Sequence, residues 1–164
     1  MKKLLLLTIL LSILISCGGR KQVEKSLNSG NYDQAISTAL KKLKTNKDKK
    51  RKQAYVIMLE DAYYKVVNRD LEQIERLKKD SNPELYKSIY DIYVNLDARQ
   101  EAIKPILPLR VGNKIVSIPF NDYSDELLES RENVSDYMYE VGLELLESDD
   151  KFKIREAYKT YEYI

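Results

Sequence analysis

The stretch from Asn82 to Leu96, NPELYKSIYDIYVNL, decides the fold class. Asn82 is a typical N-cap residue, and Pro83 suits the first position of a helix, where the backbone N–H that proline lacks would have no partner. Apolar residues then recur at i, i+4, i+7 and i+11, namely Leu85, Ile89, Ile92 and Leu96. Because this spacing places them on one face, the stretch predicts an amphipathic helix that packs against other helices.

The same period recurs in the sequence before this stretch. It predicts a short helix that Gly30 ends, a second helix from Tyr32, a third over residues 50–68 and a shorter fourth over 71–77. The residues expected to face the core in this part are Val23, Leu27, Ala35, Ile36, Ala39, Leu40, Leu43, Tyr55, Met58, Leu59, Ala62, Val66, Leu71, Ile74 and Leu77.

Helical patterning also resumes near the end of the chain. One helix is predicted from Tyr123 to about Ser148, and Asp149 and Asp150 cap a last helix. The residues expected to face inward are Leu127, Val134, Tyr137, Met138, Val141, Leu145, Ile154, Ala157, Tyr158, Tyr161 and Ile164. The sequence stops inside this last apolar pattern, which favours the front part of a longer polypeptide over a frayed end.

Residues 105–120 break the helical pattern. They hold three of the four prolines, and Gly112-Asn113 separates the β-prone runs Leu109-Arg110-Val111 and Ile115-Val116-Ser117-Ile118. A Gly-Asn pair between such runs predicts a small β-hairpin with glycine at the first turn position. An irregular, ordered loop is the alternative.

Gly30-Asn31-Tyr32-Asp33-Gln34-Ala35-Ile36 resembles the middle of a tetratricopeptide repeat, where glycine and tyrosine mark the turn between two helices. Ala157 and Tyr161 stand four apart, like the later alanine and aromatic positions of such a repeat. No period of about 34 residues connects the two segments. The resemblance implies an all-α array of antiparallel helical hairpins, interrupted by the insertion around 105–120.

The first sixteen residues have the features of an export signal. Lys2 and Lys3 precede the apolar run from Leu4 to Ile15, and the small Ser16 stands before Cys17. A bilayer-spanning helix needs about 20 apolar residues, so the run is short for a transmembrane anchor. An ordinary secreted protein or an uncleaved anchor would be the alternatives.

The ending Leu14-Ile15-Ser16-Cys17 resembles the lipobox of bacterial lipoproteins. The resemblance implies cleavage between Ser16 and Cys17, an S-diacylglyceryl group on the Cys17 thiol and, in some members, an added N-acyl chain. Residues 1–16 are then a cleaved signal peptide, 17–20 the lipidated terminus and tether, and 21–164 one helical domain. The stretch from Asn82 to Leu109 also resembles an uncharacterised family of lipoproteins from Bacteroidota.

Charge is balanced after the leader but unevenly distributed. All 26 acidic residues follow Cys17, and the net charge of +2 belongs to Lys2 and Lys3. Residues 41–52 carry eight basic residues against one acid, so Lys47, Lys49, Lys50, Arg51 and Lys52 form a candidate contact with anionic lipid head groups. A solvated connection between two helices explains the same run. The export signal argues against nucleic acid as a partner.

Residue types argue against most enzyme classes. The chain has no His and one Cys, which removes His-based acid–base pairs, His metal clusters, internal disulfides and Cys-rich zinc sites. No Gly-x-Ser-x-Gly elbow, phosphate-binding loop or calcium loop occurs. The acidic stretch from Asn121 to Asp150 is typical of a solvated helix face. We therefore expect no metal, no cofactor other than the lipid, and no catalysis, although two carboxylates at the right separation would suffice for a glycosidase.

Thirteen tyrosines supply the aromatic side chains of a chain with no Trp and two Phe. Tyr55, Tyr137 and Tyr161 are predicted core residues. Tyr86, Tyr90 and Tyr93 form a stripe beside the apolar face of their helix, and it serves equally well as core or as an interaction surface for a peptide or a glycan.

These features predict a lipid-anchored scaffold or adaptor of the bacterial envelope that binds an envelope protein. Because Gly18 replaces the Asp that can retain a lipoprotein in the inner membrane, the outer membrane is favoured, with the domain in the periplasm or at the cell surface. A lipoprotein that binds a glycan or a peptide through the tyrosine stripe is the alternative.

Overall fold

The computed structural model describes residues 19–148 and 150–161, except for the side chain of Tyr161. The described chain is mostly helical and contains one small two-stranded antiparallel sheet. We name the helices in chain order: α1 over residues 19–28, α2 Tyr32–Leu43, α3 Gln53–Asp80, α4 Tyr86–Ile103, α5 Ser124–Leu146 and α6 Lys151–Tyr161. Short 3₁₀ segments at Lys50–Lys52, Pro83–Leu85 and Lys104–Ile106 adjoin α3 and the two ends of α4.

The chain divides into two compact units. Of the described residues, the first unit comprises 19–69 and 100–119, and the second comprises 70–99, 120–148 and 150–161. Helices α3 and α4 each contribute residues to both units.

The first unit has a core of apolar residues from four helices, the hairpin and the segments beside it. The buried face of α2 is the predicted one, Ala35, Ile36, Ala39, Leu40 and Leu43. Further members of this core are Val23, Tyr55, Val56, Met58, Leu59, Ala62, Tyr63, Val66, Ile103, Ile106, Leu109 and Ile118. The buried Tyr63 hydroxyl donates a hydrogen bond to the Pro119 carbonyl oxygen, 3.1 Å away, so its polar end is satisfied.

Helix α1 ends as the sequence predicts. Gly30 has φ of +75°, its N–H donates to the Leu27 carbonyl oxygen, and the Asn31 N–H donates to the Ser26 carbonyl oxygen. This pair of bonds is the Schellman motif, which satisfies carbonyl groups at the end of a helix. Asn31 then caps α2 through its side-chain oxygen, which accepts from the Gln34 N–H.

The insertion is a β-hairpin, as the Gly-Asn pair predicts. Strand β1, Leu109–Val111, pairs antiparallel with β2, Lys114–Val116. Gly112 has φ of +60°, and the positive-φ non-glycine residues of the described chain are only Asn46 and Ser81. Positive φ at the first turn residue alone is the pattern of a type II′ turn. The Tyr64 hydroxyl donates to the Ser117 carbonyl oxygen beyond β2, at 3.4 Å.

The second unit contains the packed pair of helices α5 and α6. Its buried apolar residues are Ile74, Ile89, Tyr93, Leu96, Tyr123, Val134 and Ala157. The unit also holds a nearly buried ion pair, in which Arg99 Nη1 lies 2.8 Å from Asp70 Oδ2.

Two predictions about the helices are wrong. The separate fourth helix over 71–77 does not exist, because α3 continues without interruption to Asp80. Residues 68–70 contain no Gly or Pro to end a helix, and the helix ends instead where Ser81 has φ of +51°. Tyr158 was expected to face inward but is 66% exposed, since the small Ala157 beside it takes the buried position.

Candidate functional site

Most of the predicted basic run lies in the connection from α2 to α3. Lys47 Nζ donates to the Ile106 carbonyl oxygen at 2.6 Å, which ties the loop to the base of the hairpin. Lys52 Nζ donates to the Lys42 carbonyl oxygen and lies 5.8 Å from the centre of the Tyr55 ring. Two members of the run thus stabilise the fold, while the side chains of Lys49, Lys50 and Arg51 are exposed.

Like charges crowd Lys52. Partial burial lowers the pKa of Lys52 below its usual value, and the positive charges of Arg51, Lys42 and Lys49 lower it further. Arg51, Lys42 and Lys49 therefore each lie close enough to Lys52 to repel its charge. Such a local excess of positive charge favours an anion.

A hollow of about 340 Å³ adjoins this connection. Its lining residues are Lys47, Asp48, Gln53, Pro108, Arg110 and Gly112. The sequence-based prediction did not include Arg110. The alternation of side chains along a strand could have indicated it, because Leu109 is fully buried and its neighbour in β1 therefore points to the other face. We call Lys42, Lys47, Lys49, Lys50, Arg51, Lys52 and Arg110 together the basic patch.

The tyrosine stripe of α4 divides between two depressions of the second unit. Tyr86 and Tyr93 line a cavity of about 170 Å³, together with Lys78, Ile89, Glu126, Glu129, Ser130 and Asn133. Tyr90 instead lines a wider hollow of about 500 Å³ with Val94, Asp97, Ala98, Ser124, Leu127, Leu128 and Arg131. The three rings therefore do not form one binding surface.

Each tyrosine of the smaller cavity is held by a second ring. Tyr93 is buried, and its ring packs against Tyr123 with centroids 6.0 Å apart. Lys78 Nζ donates to the Tyr93 hydroxyl at 3.4 Å and lies 5.5 Å from its ring centre. The half-buried Tyr86 meets Tyr137 edge to face at 6.4 Å. Tyr93 is thus both a core residue and a wall of the cavity.

Exposed apolar side chains are concentrated on α5 and α6. Tyr139, Leu143 and Leu146 recur at i, i+4 and i+7 on α5, which places them on one helix face. On α6, Phe152 and Tyr158 are 81% and 66% exposed. We call Tyr139, Leu143 and Leu146 the apolar stripe. The sequence-based prediction did not include this stripe, because it considered only the residues of α5 and α6 that were expected to face inward.

The acidic stretch forms a solvated helix face, as predicted. Most carboxylates of α5 are exposed. Across the described residues, no group of three or more His, Cys, Asp or Glu side chains is placed to hold a metal ion. Nor does any helix in residues 19–148 or 150–161 have the length and apolar character needed to cross a bilayer. The predicted cleavage and lipidation residues, Ser16 and Cys17, lie outside the described residues.

Comparison with known proteins gives no relative from which a role can be transferred. No family model, no curated protein and no solved structure matches the chain.

Proposed function

We propose that this chain is a lipid-anchored, non-catalytic scaffold of the bacterial envelope, which binds an envelope protein through its helical domain. Cys17 carries the lipid, and the outer membrane is the favoured site. The leader pattern and the lone Cys support the anchor, since an exported chain with one unpaired thiol otherwise lacks an explanation. The helical fold supports the scaffold role. We further propose that the helices form an array of hairpins, as the resemblance to tetratricopeptide repeats implies.

The apolar stripe carries the scaffold part of this proposal. Single exposed apolar residues are ordinary, but a contiguous exposed row is typical of a contact surface. Leu143 lies at the centre of the row on α5, flanked by Tyr139 and Leu146. Aromatic side chains are enriched among the residues that dominate the binding energy of protein interfaces.

The anchor is tested by the substitution Cys17→Ala in cells. We expect the variant to leave the membrane fraction or to keep its leader, because no thiol remains to receive the diacylglyceryl group. Two or three acyl chains hold a protein stably, since each buried CH₂ contributes about 0.8 kcal/mol. Immunoblotting of soluble and membrane fractions measures the change, and full membrane retention of processed Cys17→Ala protein contradicts the proposal.

The scaffold is tested by a photoreactive amino acid placed at Leu143. The matched control places it at Lys79, an exposed residue of α3 in the same unit. We expect irradiation of cells to link position 143, and not position 79, to a discrete envelope protein. Leu143→Glu should prevent co-purification of that protein, while Lys79→Glu should not. Equal labelling from both positions, or none from either, contradicts the proposal.

The small cavity favours a second candidate, a lipoprotein that binds a glycan. Two tyrosine rings and several polar groups are typical of a saccharide site. At about 170 Å³ the cavity is smaller than the roughly 300–1,000 Å³ of most ligand sites, so it suits a single ring. Calorimetry with N-acetylglucosamine oligomers tests this candidate. Binding that Tyr86→Ala abolishes and Tyr90→Ala preserves supports it, and absence of binding rejects it.

A further inference from the structure

The beginning of α1 lies against the basic patch. An added methyl group at Gly19 would sit 2.8 Å from Lys42 Cε, 3.2 Å from Lys42 Nζ and 3.0 Å from the Tyr55 hydroxyl. Lys52 belongs to the same cluster, because it donates to the Lys42 carbonyl oxygen and stands over the Tyr55 ring. Gly19 is therefore next to the Lys42 side chain, and Lys42 contacts Lys52 of the same patch.

Gly19 follows Cys17 by two residues. Two residues of chain span at most about 7 Å, which is less than the Debye length at physiological ionic strength. A lipid on Cys17 would hold this end of α1 at a bilayer surface. Lys42, beside Gly19, would then lie within electrostatic reach of the lipid head groups.

We propose that the basic patch is a second membrane contact, which binds anionic lipid head groups and orients the domain on the bilayer. The proposal rests on the lipid anchor proposed above. The exposed Lys49, Lys50 and Arg51 supply the attraction. The hollow of about 340 Å³ that Lys47 and Arg110 line, together with the Asp48 carboxylate, is large enough for one phosphate group.

Charge and position favour a membrane over a nucleic acid. Arg51, Lys42 and Lys49 lie close to Lys52, and Lys42 also borders Gly19, so the positive charge adjoins the end of the chain that would carry the lipid. An exported chain, in contrast, rarely meets nucleic acid. A second acyl chain or a nearby polybasic patch is the usual way in which lipidated proteins gain stable attachment.

Vesicle flotation of the processed but unlipidated chain tests the patch by itself. Residues 17–164, with Cys17→Ser to prevent dimers, are mixed with phosphatidylcholine vesicles that contain or lack phosphatidylglycerol. We expect binding to the anionic vesicles only, and loss of binding in about 1 M salt, where the Debye length falls to about 3 Å. Each basic residue near an anionic surface is worth about fivefold in affinity, so Lys49→Glu with Arg51→Glu should lower partitioning by at least about 25-fold.

The matched control carries Lys153→Glu and Lys159→Glu, two exposed cations of α6. It makes the same change in net charge and should still bind, and circular dichroism verifies that both variants are folded. Equal loss in the control, equal binding to neutral vesicles, or binding of a DNA oligonucleotide without binding of vesicles overturns the proposal. Failure of the anchor appears separately, in the Cys17→Ala fractionation.

Discussion

At the scale of single residues, the second unit contains a nearly buried ion pair between Asp70 and Arg99. Their side chains are only 5% and 10% exposed, and 2.8 Å separates Arg99 Nη1 from Asp70 Oδ2. Removing one partner of a buried pair leaves an uncompensated charge, which costs about 3–5 kcal/mol. We therefore expect Asp70→Ala to lower the free energy of unfolding by about that amount, as measured by urea denaturation.

Two comparisons define the origin of that loss. Replacing both partners, Asp70→Leu with Arg99→Met, should restore much of the stability, because apolar residues of similar volume substitute well for buried pairs. Lys65→Ala removes an exposed partner of Asp61 and should have little effect. A loss in Lys65→Ala as large as in Asp70→Ala would show that burial does not determine the cost. The sequence did not predict this pair, since its members are 29 positions apart.

Gly30 allows backbone strain to be measured without steric conflict. Its φ is +75°, and an added Cβ would meet nothing within 4 Å. Gly30→Ala should therefore lose about 1 kcal/mol through the left-handed conformation alone. Gly30→Asn should lose less, because asparagine tolerates that region. Denaturation midpoints of the two variants measure the difference, and equal losses would contradict a backbone origin.

At the scale of elements, a buried glycine belongs to α5, the helix that packs against α6. Gly142 lies inside α5, four residues before its end at Leu146, where glycine costs roughly 1 kcal/mol relative to alanine, so we infer that its small size permits close packing. We expect Gly142→Leu to destabilise the protein by about 1–3 kcal/mol through overpacking and to lower the melting temperature. Glu144→Leu, an exposed position of the same helix, is the control. An unchanged melting temperature in Gly142→Leu would exclude the packing role.

Local sequence signals predicted which elements form better than they predicted how long those elements are. The Schellman glycine Gly30, the Asn82 cap and the Gly112 turn each act within a few residues, and each was readable from the sequence. The length of α3 could not be predicted from the sequence, because the apolar pattern weakens after Asn68 just as it does at the end of a helix. Ile74 is nevertheless buried, and its packing favours continuation of the helix through this stretch. The prediction for the tyrosine stripe was incomplete for a related reason. The spacing of the tyrosines predicts that they share a side of the helix, but it does not indicate which depression each ring lines.

At the scale of the whole molecule, net charge and charge distribution have different consequences. Without Lys2 and Lys3 the chain is formally neutral, so long-range attraction to a membrane is weak. The lipid would supply retention, while the basic patch would supply orientation at short range. Arg110 joins the patch from a strand far along the chain, and for that reason the sequence identified the basic run but not the complete surface.

If the basic patch orients the domain on the bilayer, the protease sensitivity of the lipidated protein should depend on the charge of the lipid. Residues 44–49 are irregular and rich in lysine, so trypsin should cut there first. If the basic patch contacts head groups, cleavage after Lys44 and Lys47 should be several-fold slower on vesicles containing phosphatidylglycerol than on neutral vesicles. The Lys49→Glu, Arg51→Glu variant keeps both of these cleavage sites and should be cut equally fast on the two surfaces. Mass spectrometry of timed digests measures the rates. Protection that is independent of lipid charge would mean that the anchor alone places this loop at the membrane.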